Sequence, residues 1–295
     1  MFAVAKGGEE LAGIEPKGAG RGAKEIQRKT KAVLNSPILA QPMRHGSLFS
    51  GIGGFDYAAQ LMGWENVFHC EIDKWSREKL NTKWPKAISF SDITEVDFTP
   101  YNGQIDVLTG GFPCQDISTA KQDTKPLGIN GKRSGLVHHM LSAIAEVRPV
   151  WVVAENVSNL LKINNGRDFG IILNELARMG YNAEWRVLYA SDVGAPHKRA
   201  RCYLVAYPNS IRTKPGESIL SNVREKIRPK PRRFIGTTIQ AWGAWDNEPP
   251  AISVDDGVSR GLVRRKLKAY GNAIVPQVAL QIFKAIEQYE ELHLR

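Results

Sequence analysis

Between residues 44 and 206, short apolar runs of β type alternate with stretches of helical periodicity, and nothing else in the chain constrains its fold as strongly. The runs fall at 47–49, 67–72, 105–109, 150–154, 185–189 and 202–206, with helical stretches at 55–62, 74–81, 136–147 and 169–179. Strands separated by helices at this spacing imply βαβ units and a mostly parallel sheet covered on both faces. The run Val150-Trp151-Val152-Val153-Ala154 is apolar without interruption, as expected of a central parallel strand. The expected class is α/β, with a Rossmann-like, mostly parallel sheet and a catalytic, cofactor-binding domain over 44–206.

The flanks differ from this core. Residues 1–43 are Gly-rich and charged, with few aromatics and no sustained period, so they read as a disordered basic tail with at most a short helix at 24–34. Residues 207–268 carry 13 Lys and Arg against 6 Asp and Glu, with prolines at 208, 215, 229, 231, 249 and 250. This stretch reads as a small separate region. Residues 269–295 return to the catalytic domain, with apolar positions 275, 278, 279, 282, 283 and 286 at helical spacing.

Composition narrows the function classes. With 42% hydrophobic and 24% charged residues the chain is an ordinary globular protein. It has no apolar run of about 18 residues, so no membrane partner is expected, and no signal-peptide core, so a cytoplasmic location is. Three widely spaced cysteines (Cys70, Cys114, Cys202) argue against disulfides and against zinc, and no metal is expected. The formal charge of +10 points to a polyanionic partner without identifying it.

Five motifs carry chemistry. Ser47-Leu48-Phe49-Ser50-Gly51-Ile52-Gly53-Gly54-Phe55 reads as a strand, a glycine turn and a helix start, where backbone N–H groups can approach a ligand. Glu71 follows the next strand, placed to accept both hydroxyls of a ribose, and Asp92-Ile93 offer a contact to an adenine edge. By themselves these residues fit a nucleoside cofactor or a tight turn beside a solvated acid. Gly110-Gly111-Phe112-Pro113-Cys114-Gln115 follows the strand 105–109, and a cysteine on such a loop can act as a thiolate nucleophile. Glu155-Asn156-Val157 follows the run 150–154, and an acid there can serve as a proton donor. Arg199 and Arg201 alternate in His197-Lys198-Arg199-Ala200-Arg201, so both can point to one side. Gly271-Asn272-Ala273-Ile274-Val275-Pro276 opens the last helix.

In this order the five resemble the DNA (cytosine-5)-methyltransferase family over residues 44–289. The resemblance implies a methyltransferase fold dependent on S-adenosyl-L-methionine, with a small target recognition domain at 207–268. Phe49, Gly51 and Gly53 would wrap that cofactor, Glu71 would hold its ribose, and Asp92 with Ile93 would contact its adenine. Pro113 would lie beside the methyl donor, and Asn272 with Ala273 would close the pocket. Cys114 matches the nucleophile, Glu155 the acid on the cytosine ring, and Arg199 and Arg201 the arginines of a Gln-Arg-Arg-x-Arg motif. That motif here has His197 for Gln and Lys198 for the first Arg.

The activity this implies is transfer of a methyl group to carbon 5 of cytosine in double-stranded DNA, through a covalent Cys114 adduct and a flipped base. The expected protein is monomeric and can be paired with a restriction enzyme. Three rivals stand beside it: an RNA cytosine-5 methyltransferase on the same scaffold, a catalytically silent DNA-binding protein, and a nicotinamide-dependent oxidoreductase. The basic run Arg224–Arg233 is either a phosphate-contacting or a solvated face, Trp242 and Trp245 read as small-domain core, and His138 and His139 as structural.

Overall fold

A seven-stranded sheet organises the described residues of the computed structural model. The structure describes residues 41–113, 135–195, 197–211, 218–220, 223, 269 and 271–293. Among these, β1 (Arg44–Leu48), α1 (Gly54–Leu61), β2 (Glu65–Cys70), α2 (Lys74–Lys83) and β3 (Ile88–Phe90) come first. They are followed by β4 (Val107–Gly110), α3 (Leu136–Val147), β5 (Trp151–Val157), α4 (Arg167–Arg178), β6 (Tyr181–Tyr189), β7 (Ala200–Pro208) and α5 (Pro276–His293). The tail and its short helix at 24–34 lie outside the described residues, as do Arg224–Arg233, Trp242 and Trp245.

The strands form one sheet in the order β3-β2-β1-β4-β5-β7-β6. Pairing is parallel from β3 through β5 and antiparallel where β7 inserts between β5 and β6. The strand order reverses direction between β1 and β4, the point at which open α/β sheets leave a crevice at their carboxyl ends.

Two expectations are corrected here. The apolar run 150–154 is not flanked by parallel strands on both sides, because its second neighbour is the antiparallel β7. It is buried on both faces all the same, and burial is what the apolar run reports. The strand also continues through Glu155 to Val157, since β7 pairs with it as far as Val157↔Arg201. Strand β3 was absent from the sequence reading: it has three residues at the sheet edge, with Ile88 half exposed, too short to show a period.

Two hydrophobic layers sandwich the sheet. On one face α3 and α4 bury Met140, Ile144, Phe169, Ile172 and Leu176 against Phe68, Leu108 and Val152. On the other, α1 and α5 bury Phe55, Ala58, Ala59, Ile282, Phe283 and Ile286 against Val107, Trp151 and Val153. Phe283 stacks on Trp64 with ring centroids 4.6 Å apart, so the last helix completes the layer that the first helix begins. Cys70 and Cys202 are buried packing residues whose thiols burial pushes up to about 12, which leaves them uncharged and unreactive. Among the described residues no helix is long and apolar enough to cross a membrane, and no cluster of metal-ligating side chains occurs.

Candidate active site

The candidate residues converge because of one register line across the sheet. Pairing aligns Phe90 with Cys70, Cys70 with Leu48, Leu48 with Gly110, Gly110 with Ala154, and Ala154 with Leu204. The residue just beyond this line on four adjacent strands is a motif residue: Glu71, Phe49, Gly111 and Glu155. Motifs spread over more than a hundred residues of chain thus open onto one edge of the sheet.

After β1 the chain turns within a few residues into α1. Phe49, Gly51 and Gly53 adopt positive φ of 52°, 58° and 85°, a left-handed conformation in which glycine carries no side-chain penalty. At Gly53 a Cβ would also strike the Trp84 ring at 2.5 Å, so both backbone and packing require glycine there. Gly51 differs, since the space its Cβ would occupy has no atom within 4 Å. This open side faces outward from a loop held by Gly53 N–H donating to Ser50 O and Ser50 N–H donating to Cys70 O.

Glu71 is anchored toward that loop. Its Oε2 accepts from the Gly51 N–H at 2.7 Å and its Oε1 from the Asp73 N–H at 2.8 Å. Burial raises its pKa, and the two backbone donors oppose that rise. Each oxygen keeps a lone pair, so the carboxylate can accept two hydroxyls from a bound ribose. Ile72, next along, is 72% exposed and provides an apolar surface beside the carboxylate that the sequence reading did not single out. A large apolar side chain directly after the strand-end acid was the signal available. Asp92 accepts through Oδ1 from the Thr94 N–H and hydroxyl, which lower its pKa, and Ile93 is buried beside it.

Gly111, Phe112 and Pro113 follow β4, and Cys114, the nucleophile candidate, lies outside the described residues. Phe112, two residues before it, is tied down by Asn156, which the sequence offers only as the middle of the Glu155-Asn156-Val157 motif. Its Nδ2 donates to Phe112 O at 3.2 Å from a buried position on β5. A buried amide directly after the acid, in need of partners of its own, was the clue in the sequence. A Cβ at Gly111 would lie 3.8 Å from Glu155 Oε2 and 3.2 Å from Ile274 Cδ1, so three motifs meet at this glycine.

Glu155 is 7% exposed, and burial pushes its carboxyl up to about 7, while Arg201 and then Arg199 pull it down. Arg201 Nε stands 2.9 Å from Glu155 Oε1, an ion pair without hydrogen-bond alignment. A carboxyl raised this far can still hold its proton near neutral pH, and this suits a proton donor. The two arginines do not point together as their alternation suggested. Arg199 precedes β7 with φ 28°, which removes it from strand geometry, and its guanidinium donates to the carbonyls of Gly271 and Ala273. Asn272 closes a helical turn and Ala273 opens the short link into α5, and Ile274 O would be 2.6 Å from a Cβ at Gly54. The closing loop thus rests against the start of α1.

Fold and site together define a doubly wound α/β protein with a glycine turn facing Glu71 at the switch point and a buried acid–arginine pair beside Gly111. Residues 43–248 match the model of the C-5 cytosine-specific DNA methylase family, and the chain belongs to that family. Its fold is the Rossmann-like methyltransferase fold, and its cofactor is S-adenosyl-L-methionine. Among its relatives, the type II methyltransferase M2.BsuMI of Bacillus subtilis is 34% identical over 168 residues, covering 56% of this chain and 42% of the relative. The type II methyltransferase M.NgoBI of Neisseria gonorrhoeae is 31% identical over 218 residues, covering 70% and 66%. The solved structure of the methyltransferase EhMeth of Entamoeba histolytica superposes with a TM-score of 0.57 at 14% identity, covering 85% of this chain and 99% of that one, a likeness of fold. The chain spans about half the length of several relatives it matches.

Proposed function

We propose that this chain transfers a methyl group from S-adenosyl-L-methionine to carbon 5 of cytosine in double-stranded DNA. The observation that carries the reading is the meeting at Gly111, three residues before Cys114, of the buried Glu155–Arg201 pair and Ile274, which leads into α5. The open side of Gly51, the two lone pairs of Glu71 and the exposed Ile72 fit an adenosine group. Phe49, Gly51, Gly53, Glu71, Asp92, Ile93, Pro113, Asn272 and Ala273 are the residues that would hold the cofactor. When bound, it supplies an electrophilic methyl on a sulfonium.

Carbon 5 of cytosine is a poor nucleophile, and the protein's task is to activate it. The Cys114 thiolate adds to carbon 6 while the Glu155 carboxyl gives its proton to ring nitrogen 3, producing an enamine nucleophilic at carbon 5. Arg201 supports this step by fixing Glu155 and by offering its guanidinium to the carbonyl oxygen of the base. After methylation nitrogen 3 returns its proton to Glu155, and loss of the carbon 5 proton to water expels the thiolate and restores the ring. In a duplex these atoms are stacked, so the base must leave the helix to reach the edge of the sheet. The basic region 207–268 supplies phosphate contacts and target recognition, and its charge suits that role. The protein acts in the cytoplasm as a monomer, and a restriction enzyme of the same specificity would be its partner.

Methyl transfer from labelled cofactor to duplex DNA, with transfer RNA as the competing substrate, tests the reading. Activity on duplex DNA that Cys114→Ser abolishes, with DNA binding retained, is expected. Label in transfer RNA alone, or activity that survives Cys114→Ser, overturns it. Bisulfite sequencing of DNA from expressing cells then identifies the methylated sequence.

A further inference from the structure

We infer that Arg199 is a positioning residue that latches the closing loop Gly271–Ala273 to the catalytic edge, and that it reaches neither the target base nor the cofactor itself. The backbone on which it stands is held first. The Ala190 N–H, at the end of β6, donates to Lys198 O at 3.0 Å and to Arg199 O at 3.3 Å. With φ at 28° Arg199 is in a conformation that costs a non-glycine residue energy and persists only where its surroundings enforce it. From that backbone the side chain reaches the residues that precede α5.

The guanidinium then spans two carbonyls. Nη1 donates to Gly271 O, and Nη2 donates to Ala273 O at 2.7 Å. Only a planar fork with two parallel donors holds acceptors two residues apart, and a lysine ammonium on a flexible stem does not reproduce it. The loop so held carries Asn272 and leads into Ile274, whose carbonyl packs on Gly54 and whose side chain packs on Gly111. Arg199 therefore sets where Asn272 and Ala273 stand relative to both the glycine turn and the cysteine loop. Its charge also acts on Glu155, so one side chain joins the cofactor wall to the acid.

The inference rests on the reading of Asn272 and Ala273 as part of the cofactor wall, and the experiment separates the two. S-adenosylmethionine affinity is measured by calorimetry for the wild type, Arg199→Lys and Arg199→Met, together with duplex affinity, kcat at saturating cofactor and hydrogen exchange over 271–275. Loss of charge-assisted bonds predicts cofactor affinity weakened about 10-fold or more, duplex affinity unchanged within about 2-fold, and faster exchange confined to the closing loop. Saturating cofactor restores kcat to within a few-fold. Unchanged cofactor affinity with kcat down about 100-fold would place Arg199 at the reacting base and overturn the latch. Unchanged exchange at 271–275 in both variants also overturns it. Failure of the wild type to bind the cofactor strikes instead at the proposed function, and the exchange measurement still decides the latch.

Discussion

Glu155→Gln should make this protein more stable and less active at the same time, and pH is the variable that exposes both effects. The wild-type carboxyl is raised from 4.5 to about 7 by burial, so the folded state holds its proton more tightly than the unfolded chain does. The sign follows from linkage. Between pH 4.5 and about 7 the unfolded state gives up the proton and the native state keeps it, so stability falls as pH rises. The rise from 4.5 to about 7 corresponds to about 3 kcal/mol of stability, fully present below pH 4.5 and lost by the time the pH has risen above about 7. Glutamine keeps the shape and cannot ionise. Below pH 4.5 the wild-type group is neutral as well, so that limit fixes the baseline between the two proteins. Urea unfolding at pH 4.5, 6 and 8 should show the variant gaining about 3 kcal/mol relative to the wild type over that interval. Its kcat should fall about 100-fold to 10,000-fold, the range for loss of a positioned proton donor. In the wild type kcat should decline above pH 7 as the acid ionises. Stability curves that stay parallel from pH 4.5 to 8 would refute the burial argument, and an unchanged kcat would refute the role of the acid.

Two other outcomes follow from packing and thiol chemistry. Gly53→Ala combines a φ of 85° with a Cβ 2.5 Å from the Trp84 ring, and should cost about 2 kcal/mol or more in urea unfolding, with weakened cofactor binding. Of the three cysteines, Cys70 and Cys202 are buried with thiols pushed up to about 12, so brief treatment of the native protein with iodoacetamide should place one label, on Cys114, by peptide mass spectrometry. Labelling of Cys70 or Cys202 at a comparable rate would contradict their burial.

The α/β architecture was legible because helix and strand periods alternate cleanly over 44–206, and helix α3 runs over 136–147 as its spacing predicts. The site was legible wherever a motif follows a strand, since parallel strands deliver their carboxyl ends to one edge. Other features were hidden for physical reasons. A three-residue edge strand such as β3 has no period to read. The continuation of β5 through Glu155 depends on a partner strand more than forty residues away, which local sequence does not report. The division of labour between Arg199 and Arg201 turns on one backbone dihedral, where strand alternation predicts a shared direction. Asn156 looked like part of a motif, and only its bond to Phe112 O gives it a task.

The packing of α5 on α1 has a consequence for assembly and for variation. Phe283 meets Phe55 and Trp64 across more than two hundred residues of chain, so one face of the sheet stays uncovered until the C-terminal helix arrives. Closing so long a loop is slow compared with forming the local βαβ contacts, and docking of this helix is the natural last step of folding. By the same arithmetic, chain length between residues 223 and 271 is cheap to change, whereas Ile211, Ile219, Leu220 and Val223 before it belong to the core. Doubling the length of a connection adds only about 0.6 kcal/mol of closure entropy, so a change of length there costs the scaffold little as long as these core residues keep their places. A body of this design tolerates connections of different length, provided that the final helix still finds its groove.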